Sequence, residues 1–204
     1  SGELCAVATD GHRLALTRQA LPSGAVQMPS IILPRKAVNE LRKLLDDFDG
    51  EVLISLSETR AEFRFDVVRL TSKLIDGTFP DYTRVIPVGN DRIMQVDVVA
   101  FSAAVDRVAT IASEKSRSVK MGLKPGLLTL SASNTDASSA TEELEVNYDG
   151  AEMEIGFNSR YLLDIAGQVN SEMVEFALAD QGSPSLVRAP GDEANLFVLM
   201  PMRV

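Results

Sequence analysis

The stretch that decides the fold is MEIGFNSRYLLDIAGQVNSEMVEFALA, residues 153–179. It begins with alternating apolar and polar residues, which is the pattern of a half-buried strand. Asn158 then stands where a helix N-cap is favoured, and the apolar residues after it recur at helical spacing as far as Val169. A polar turn leads into a second apolar run. The stretch therefore predicts a strand, a helix over residues 159–169 and another strand.

The same order of elements occurs roughly 120 residues earlier, in SIILPRKAVNELRKLLDDFDGEVLISLS, residues 30–57. A short strand over residues 30–33 leads to Pro34, which suits the start of a helix because proline lacks an N–H that would be unpaired there. The helix is predicted over residues 35–47. Its apolar residues form one stripe that should face a core: Val38, Leu41, Leu44 and Leu45. A repeated unit of this kind predicts an α+β fold.

Residues 75–91, IDGTFPDYTRVIPVGND, interrupt these units with two prolines and two glycines. Such a composition is typical of a linker. We therefore place a domain boundary near Gly89, which divides the chain into residues 1–89 and 90–204. After the boundary, a strand and a helix over residues 98–112 open the second domain.

Composition excludes several classes of protein. The net charge of −9 argues against a simple nucleic-acid-binding protein with a net basic surface, although a local basic face remains compatible with it. One histidine and one cysteine argue against a zinc site, and the common phosphate-loop, dinucleotide and hydrolase motifs are absent from the sequence. The sequence thus predicts no metal site and no cofactor. No apolar run is long enough to cross a membrane.

The chain begins Ser1-Gly2-Glu3, without a methionine and without the pattern of a signal peptide, so we expect an incomplete or processed chain. Cys5 follows in an apolar stretch. It is predicted to be a small buried residue of a protein from a reducing cytosol.

His12 is the only histidine, and three interpretations are open for it: a catalyst, a metal ligand or part of a turn. A hydrolase or transferase would use it as a general base with Asp10 or a distant carboxylate. The Asp10-Gly11 pair beside it favours a tight type I′ hairpin turn, in which both central residues have positive φ. The turn is the interpretation that we prefer.

Two surfaces allow a functional and a purely structural interpretation. The helix over residues 35–47 carries four cations opposite its apolar stripe, which suit either a solvated face or contact with a phosphate backbone. The chain ends MPMRV, which is either the end of a core strand or one wall of an apolar pocket, since methionine adapts to varied partners. The aromatic FPDYTRV, residues 79–85, is open to the same two interpretations, domain packing or pocket wall.

Four motifs in chain order, CAVATDGHRLA (5–15), TSKLIDGTFPDY (71–82), GAEMEIGFN (150–158) and VLMPMR (198–203), closely resemble the β sliding clamp of bacterial DNA polymerase III. Members of that family have three similar domains per subunit. Two subunits form a ring around duplex DNA, with helices lining the hole and antiparallel sheets outside. The resemblance implies that residues 1–89 are part of the middle domain and that residues 90–204 are the complete third domain.

The resemblance also implies a non-enzymatic processivity factor with a hydrophobic cleft for short linear motifs. Partners would be the DNA polymerase III catalytic subunit, the clamp loader and repair polymerases, in the bacterial cytoplasm at the nucleoid. The cleft residues carried over by motif are Thr9, Gly11, His12, Arg13, Leu14, Pro80, Arg84, Val85, Asn158, Tyr161, Val198, Leu199, Met200, Pro201, Met202, Arg203 and Val204. Ser116 departs from the pattern, because an aromatic residue is expected there.

Sequence-independent contact with duplex DNA is expected from the outward cations of the three helices. These are Arg35, Lys36, Arg42, Lys43, Arg107 and Arg160. By the same resemblance, the full-length protein is a homodimer, and the end of the helix near Ile111 meets the other subunit.

Overall fold

The computed structural model describes residues 2–112, 117–134 and 138–203. The chain divides into two compact units: a large unit made of Ser1–Pro22 and Tyr82–Val204, and a small unit, Ser23–Asp81. The first hairpin of the chain therefore belongs to the large unit, far in sequence from the rest of it.

Apart from the strand predicted over residues 30–33, the strands and helices follow in the order that the sequence patterns predict. The strands are β1 (Glu3–Thr9), β2 (Arg13–Ala20), β3 (Leu53–Leu56), β4 (Arg60–Phe65), β5 (Val68–Lys73), β6 (Arg92–Asp97), β7 (Ser118–Lys124), β8 (Leu127–Ser133), β9 (Ser139–Glu145), β10 (Met153–Asn158), β11 (Met173–Leu178), β12 (Ser185–Arg188) and β13 (Asn195–Leu199). The helices are α1 (Arg35–Leu44), α2 (Val98–Ala109) and α3 (Ser159–Ala166), and Tyr82–Arg84 form one turn of 3-10 helix.

Three antiparallel sheets carry this fold. The large unit has a six-stranded sheet in the order β1-β2-β13-β12-β11-β6 and a four-stranded sheet in the order β10-β7-β8-β9, and the small unit has β3-β4-β5. The α+β prediction is confirmed. Within the described residues, no helix is both long and apolar enough to cross a membrane.

The main core lies in the large unit, where α2 and α3 pack with the strands of both sheets. Phe101 of α2 is fully buried against Phe176 of β11, with ring centroids 5.4 Å apart. Leu162 of α3 belongs to the same cluster. A second cluster, of Leu14, Leu16, Leu196 and Val198, lies where β2 pairs with β13. The hairpin is therefore attached to the large unit both by a strand ladder and by a small apolar core.

The structure corrects the prediction for α1. The helix ends at Leu44, three residues before the predicted end, and none of its residues is buried. In the predicted core stripe, Val38 is 47% exposed and Leu44 is 44% exposed. The periodicity gave the correct helix, but periodicity alone does not establish that another element covers the apolar side.

Two smaller predictions were also wrong. Residues 30–33 do not form a strand: Ile32 accepts one backbone hydrogen bond from Ile75 (2.9 Å), which does not make a ladder. Cys5 is exposed, because it lies on β1, the outermost strand of its sheet. Its sulfur lies 3.6 Å from the Tyr82 hydroxyl.

Candidate functional site

The turn that contains His12 is organised by the side chains before it. Oδ1 of Asp10 accepts hydrogen bonds from the backbone N–H groups of His12 and Arg13, each at 3.0 Å. The hydroxyl of Thr9 donates to the Arg13 carbonyl (2.8 Å) and accepts from the Gly11 N–H (3.2 Å). The two side chains thus pair the backbone groups of the loop, in the manner of an Asx turn.

The type I′ prediction for this turn was wrong. Gly11 has φ +86°, but Asp10 is not among the described non-glycine residues with positive φ. Partial burial favours the neutral form of the Asp10 carboxyl. It is outweighed by the hydrogen bonds from His12 and Arg13 and by the Arg13 charge, so the pKa of Asp10 is lowered.

The C-terminal tail, residues 200–203, continues from β13 past the hairpin. Its first residue, Met200, donates its backbone N–H to the His12 carbonyl (2.9 Å), and Met202 donates to the carbonyl of Gly156 on β10 (2.8 Å). Met200, Pro201 and Met202 are half-buried, and Arg203 is exposed. The tail therefore keeps apolar side-chain surface accessible while its backbone is fixed at two points.

Helix α3 brings a tyrosine to the hairpin. Asn158 caps the helix by accepting from the Arg160 N–H (3.0 Å). One turn on, the Tyr161 ring stacks with His12, with centroids 6.4 Å apart and planes 24° apart. The guanidinium carbon of Arg13 lies 4.3 Å from the centroid of the same ring. The hairpin, the tail and α3 thus meet in one place.

Arg13 is also bound by two carboxylates. Its Nε donates to Asp10 (3.1 Å), and its Nη1 donates to Asp164 of α3 (2.7 Å). Partial burial lowers the pKa of Arg13, but the hydrogen bonds and charges of Asp164 and Asp10 outweigh it, and the net direction is upward. The guanidinium charge in this site is therefore matched on both sides.

The predicted cleft residues occupy different depths. Val198 and Leu199 have no accessible surface and Leu14 has 3%, so these three support the surface from beneath. Val85, just after the 3-10 turn that ends at Arg84, is 41% exposed. Pro80 belongs to the small unit. Val204 and Ser116, which the sequence analysis singled out, lie outside the described residues.

Sequence reasoning missed two residues of this region. Asp164 stands three residues after Tyr161, and this spacing places both on one helix face, which is the signal that could have identified it. Ser185 pairs with Leu199 across β12 and β13, and its buried hydroxyl has no hydrogen-bond partner in the described part of the chain. It lies in a segment, residues 181–195, from which no site residue was predicted.

The predicted DNA-facing cations are exposed, and within the described part of the chain two of them are paired with carboxylates. The α1 residues Arg35, Lys36, Arg42 and Lys43 are all exposed, and Lys43 contacts Glu40 at 3.2 Å. Arg160 is exposed at the start of α3. Arg107 of α2 binds Glu142 of β9 through two nitrogens. The hydrogen bond from Arg107 lowers the pKa of Glu142, and the same bond raises that of Arg107.

Ile111, the predicted subunit contact, is partly buried just after α2.

No group of three or more potential metal-binding side chains is arranged to hold an ion within residues 2–112, 117–134 and 138–203. The Asp10 carboxylate binds the backbone of the turn and the side chain of Arg13. The His12 ring stacks on Tyr161. These contacts are those of a structured turn, and they do not support the hydrolase interpretation.

Comparison with protein-family models decides the family. The model for the central domain of the DNA polymerase III beta subunit matches residues 1–81, and the model for its C-terminal domain matches residues 83–203. The chain belongs to the DNA polymerase III beta subunit family. The resemblance carried by the four sequence motifs is thereby confirmed.

Individual members of the beta subunit family are similar over almost the whole chain. The beta sliding clamp of Caulobacter vibrioides is 52% identical over 99% of this chain, which spans 54% of that protein. The clamp of Escherichia coli K12 is 37% identical, again over 99% of this chain and 55% of the relative. The chain thus spans about half the length of the relatives that it matches.

Solved beta subunit structures have the same fold. A sliding clamp from Bartonella birtlesii, crystallised with griselimycin, is 52% identical and superposes with a TM-score of 0.96 over 99% of this chain and 55% of that one. The Pseudomonas aeruginosa clamp, also with griselimycin, is 41% identical with a TM-score of 0.92 over 100% and 55%. None of these relatives is named as a hydrolase.

Proposed function

We propose that this chain is a segment of a ring-shaped sliding clamp that surrounds duplex DNA, tethers DNA polymerase and performs no catalysis. The proposal rests on membership of the beta subunit family and on similarity to proteins named as sliding clamps. In the full-length protein the ring would be a homodimer, and residues near Ile111 would contact the other subunit. Its place of action would be the bacterial cytoplasm, at the nucleoid.

The single observation that supports a partner-binding cleft is the meeting of the hairpin, α3 and the tail. Two consecutive hairpin residues, His12 and Arg13, contact the Tyr161 ring, and the tail is hydrogen-bonded to His12. Beside them the half-buried Met200 and Met202 offer flexible apolar surface. A rigid aromatic wall next to adaptable methionines suits the aliphatic anchors of short peptide motifs from polymerases, the clamp loader and repair proteins.

The cleft would take its other members from the predicted cleft residues that belong to the large unit. Leu14, Val198 and Leu199 would support it from beneath, and Thr9 and Gly11 would shape its turn. The griselimycin complexes of two related clamps show that members of this family accept a ligand. We propose that griselimycin would occupy this cleft in the present chain.

DNA contact would come chiefly from α1. Arg35 and Lys36 stand in its first turn, which has no acidic residue. Cations at a helix N-terminus oppose the helix dipole, at a cost of roughly 0.3–1 kcal/mol each. The exposed charges of Arg35 and Lys36 are therefore better explained by an external ligand than by folding. Arg42 and Lys43 differ, because they stand in the last turn, where cations favour the helix dipole. A face of this kind would contact phosphates without reading bases.

The cleft is tested by replacing both tail methionines, Met200→Ala with Met202→Ala, and measuring griselimycin binding by calorimetry. The matched control is Met153→Ala with Met173→Ala, because these methionines are also half-buried and lie on strands of the same unit. We expect the tail variant to weaken binding about tenfold or more, since anchors near the centre of an interface dominate its affinity. Both variants should still melt cooperatively.

Each other outcome counts against the proposal. If the unsubstituted chain does not bind griselimycin, or if the tail and control variants lose the same affinity, the cleft is not where we place it. The melting temperatures separate loss of a binding surface from general loss of stability.

A further inference from the structure

Arg13 makes three contacts at once, and all three use the shape of the guanidinium group. Its Nε and Nη1 donate to Asp10 and Asp164, and its central carbon lies over the Tyr161 ring, 4.3 Å from the ring centroid. A planar guanidinium can donate in its plane while it stacks on a ring, and lysine cannot do both. The side chain therefore has one defined orientation, determined from two separate elements.

Of the two carboxylates that bind Arg13, only Asp164 comes from a distant part of the chain. Asp10 stands three residues before Arg13 in the same turn, whereas Asp164 stands 151 residues away on α3. Without Asp164, Arg13 would still have a local partner in Asp10. It would lose the hydrogen bond that holds it on the side of α3.

This ion pair cannot be explained well as a device for stability. The side chains of Arg13 and Asp164 are 30% and 47% exposed. Ion pairs with that much contact with water contribute little to the stability of a fold. The large unit is already held together by the ladder between β2 and β13 and by its apolar clusters. What the pair does supply is a fixed position for the cation over the ring.

We propose that Asp164 is a positioning residue of the cleft, which holds Arg13 across Tyr161 and so presets the aromatic wall for an uncharged, apolar ligand. The inference rests on the cleft described under the proposed function. Preorganisation of this kind lowers the cost of ordering a side chain on binding. Matching the guanidinium with two carboxylates also leaves it without an unpaired charge to offer to a ligand.

The test compares Asp164→Asn with Asp164→Glu, and uses Asp106→Asn as the matched control. Asp106 is an exposed carboxylate on α2 of the same unit, so its replacement changes the net charge equally. Griselimycin is the probe, measured by calorimetry. We expect Asp164→Asn to weaken binding about threefold to tenfold, which lies in the lower part of the range of coupling between residues in direct contact. Asp164→Glu should restore most of the affinity, and the control should leave it unchanged.

A spectroscopic readout distinguishes positioning from general destabilisation. The chain has three tyrosines and no tryptophan, so ring-labelled tyrosine gives a simple NMR spectrum. Tyr161→Phe assigns the Tyr161 signal. Asp164→Asn should shift that signal and leave those of Tyr82 and Tyr148 in place. Arg13→Lys is the second variant: it keeps the charge, should produce the same shift, and should add little to the effect of Asp164→Asn when the two are combined.

The outcomes of this test distinguish failure of this inference from failure of the proposed function on which it rests. If the unsubstituted chain does not bind griselimycin, the proposed cleft is rejected and the inference with it. If that chain binds but Asp164→Asn binds equally well, the inference alone is overturned, whether or not the Tyr161 signal moves. Weaker binding with an unmoved Tyr161 signal overturns it too, because the loss would then not pass through the ring.

Discussion

The two units differ most in what their helices bury. In the large unit, α2 buries Phe101, Ala104, Val105 and Val108, and α3 buries four residues as well. In the small unit, α1 buries none. All of residues 23–81 are described by the structure, and their only buried apolar residues are Ala61, Phe63 and Phe65, which alternate along one strand.

The difference shows that amphipathic periodicity and burial are separate properties. A helical repeat of apolar residues is enough to specify where α1 forms, and the structure confirms a helix there. Stability, in contrast, depends on how much of that apolar surface is removed from water, at roughly 25 cal/mol per Å². In the small unit, β3 also carries exposed apolar side chains: Leu53 is 61% and Ile54 is 50% exposed.

The largest expected difference between the units comes from the same truncation made in each. Leu162→Ala removes a leucine that is 1% exposed, and Leu44→Ala removes one that is 44% exposed. We expect Leu162→Ala to lower the free energy of unfolding by about 2–5 kcal/mol, whereas Leu44→Ala should cost about 1 kcal/mol or less. Urea unfolding followed by far-UV circular dichroism measures both.

Tyrosine emission adds a separate view of the large unit, because Tyr82, Tyr148 and Tyr161 all belong to it. Leu44→Ala should leave that signal's transition unchanged. Equal losses from the two truncations would mean that the apolar side of α1 is covered in solution. In that case the contrast between the units would disappear.

Because α1 buries no residue, we expect its role to be DNA contact through its charged face. This can be tested within the small unit. Arg42→Glu with Lys43→Glu reverses two cations on α1. The control, Arg60→Glu with Lys73→Glu, reverses two exposed cations that face each other on β4 and β5, so the change in net charge is the same. We expect the α1 reversal to weaken binding to a duplex oligonucleotide about tenfold and to reduce the salt slope by about 2, as for the loss of two phosphate contacts.

The control reversal should leave both quantities nearly unchanged. If the two reversals weaken DNA binding equally, only the net charge matters and α1 is not a specific contact surface. If neither has an effect, the DNA-facing role of Arg42 and Lys43 is rejected. Fluorescence anisotropy at several salt concentrations supplies both the affinity and the slope.

Local patterns in the sequence predicted most of the fold. Alternation and helical spacing located the strands and the three helices, because these patterns depend on neighbours a few residues away. The same reasoning failed for Cys5 and for the apolar stripe of α1, where the outcome depends on whether a distant element provides cover. The Asp10-Gly11 turn was mispredicted because a side-chain hydrogen bond competes with the usual backbone geometry.

The candidate site, like the fold, was predicted only where the signal lies in local sequence. The motif resemblance pointed to the hairpin, α3 and the tail, and the structure brings His12, Tyr161 and Met200 together. Asp164 was not predicted, because the contact that makes it interesting joins residues 151 positions apart. Such a contact leaves no periodic signal at either end.

The smallest difference that we expect between the units is in their sensitivity to acid. Low pH should lower the stability of the large unit. Among the described residues, four carboxyl groups have a lowered pKa, and all four belong to that unit: Asp10, Glu142, Asp180 and Asp192. At Asp180 the cause is hydrogen bonding from the Gly182 backbone and the Ser183 hydroxyl. A carboxyl whose folded-state pKa lies below its ordinary value stabilises the fold above that value. The contribution is lost as the pH falls through the folded-state pKa.

The variant Asp180→Asn tests this pH dependence, because its effect on stability can be compared with itself at neutral and at acidic pH. Above the ordinary pKa of 3.8, the unsubstituted protein has the full benefit of the ionised carboxylate, so the variant should be the less stable of the two. As the pH falls below that value, the carboxylate becomes protonated and resembles the amide, so the difference in stability should close. Urea midpoints from tyrosine emission, measured from neutral pH down to about pH 2, follow this difference in the large unit. A difference that stays constant with pH would show that Asp180 acts through its shape alone, and one that widens in acid would contradict the direction of the pKa shift.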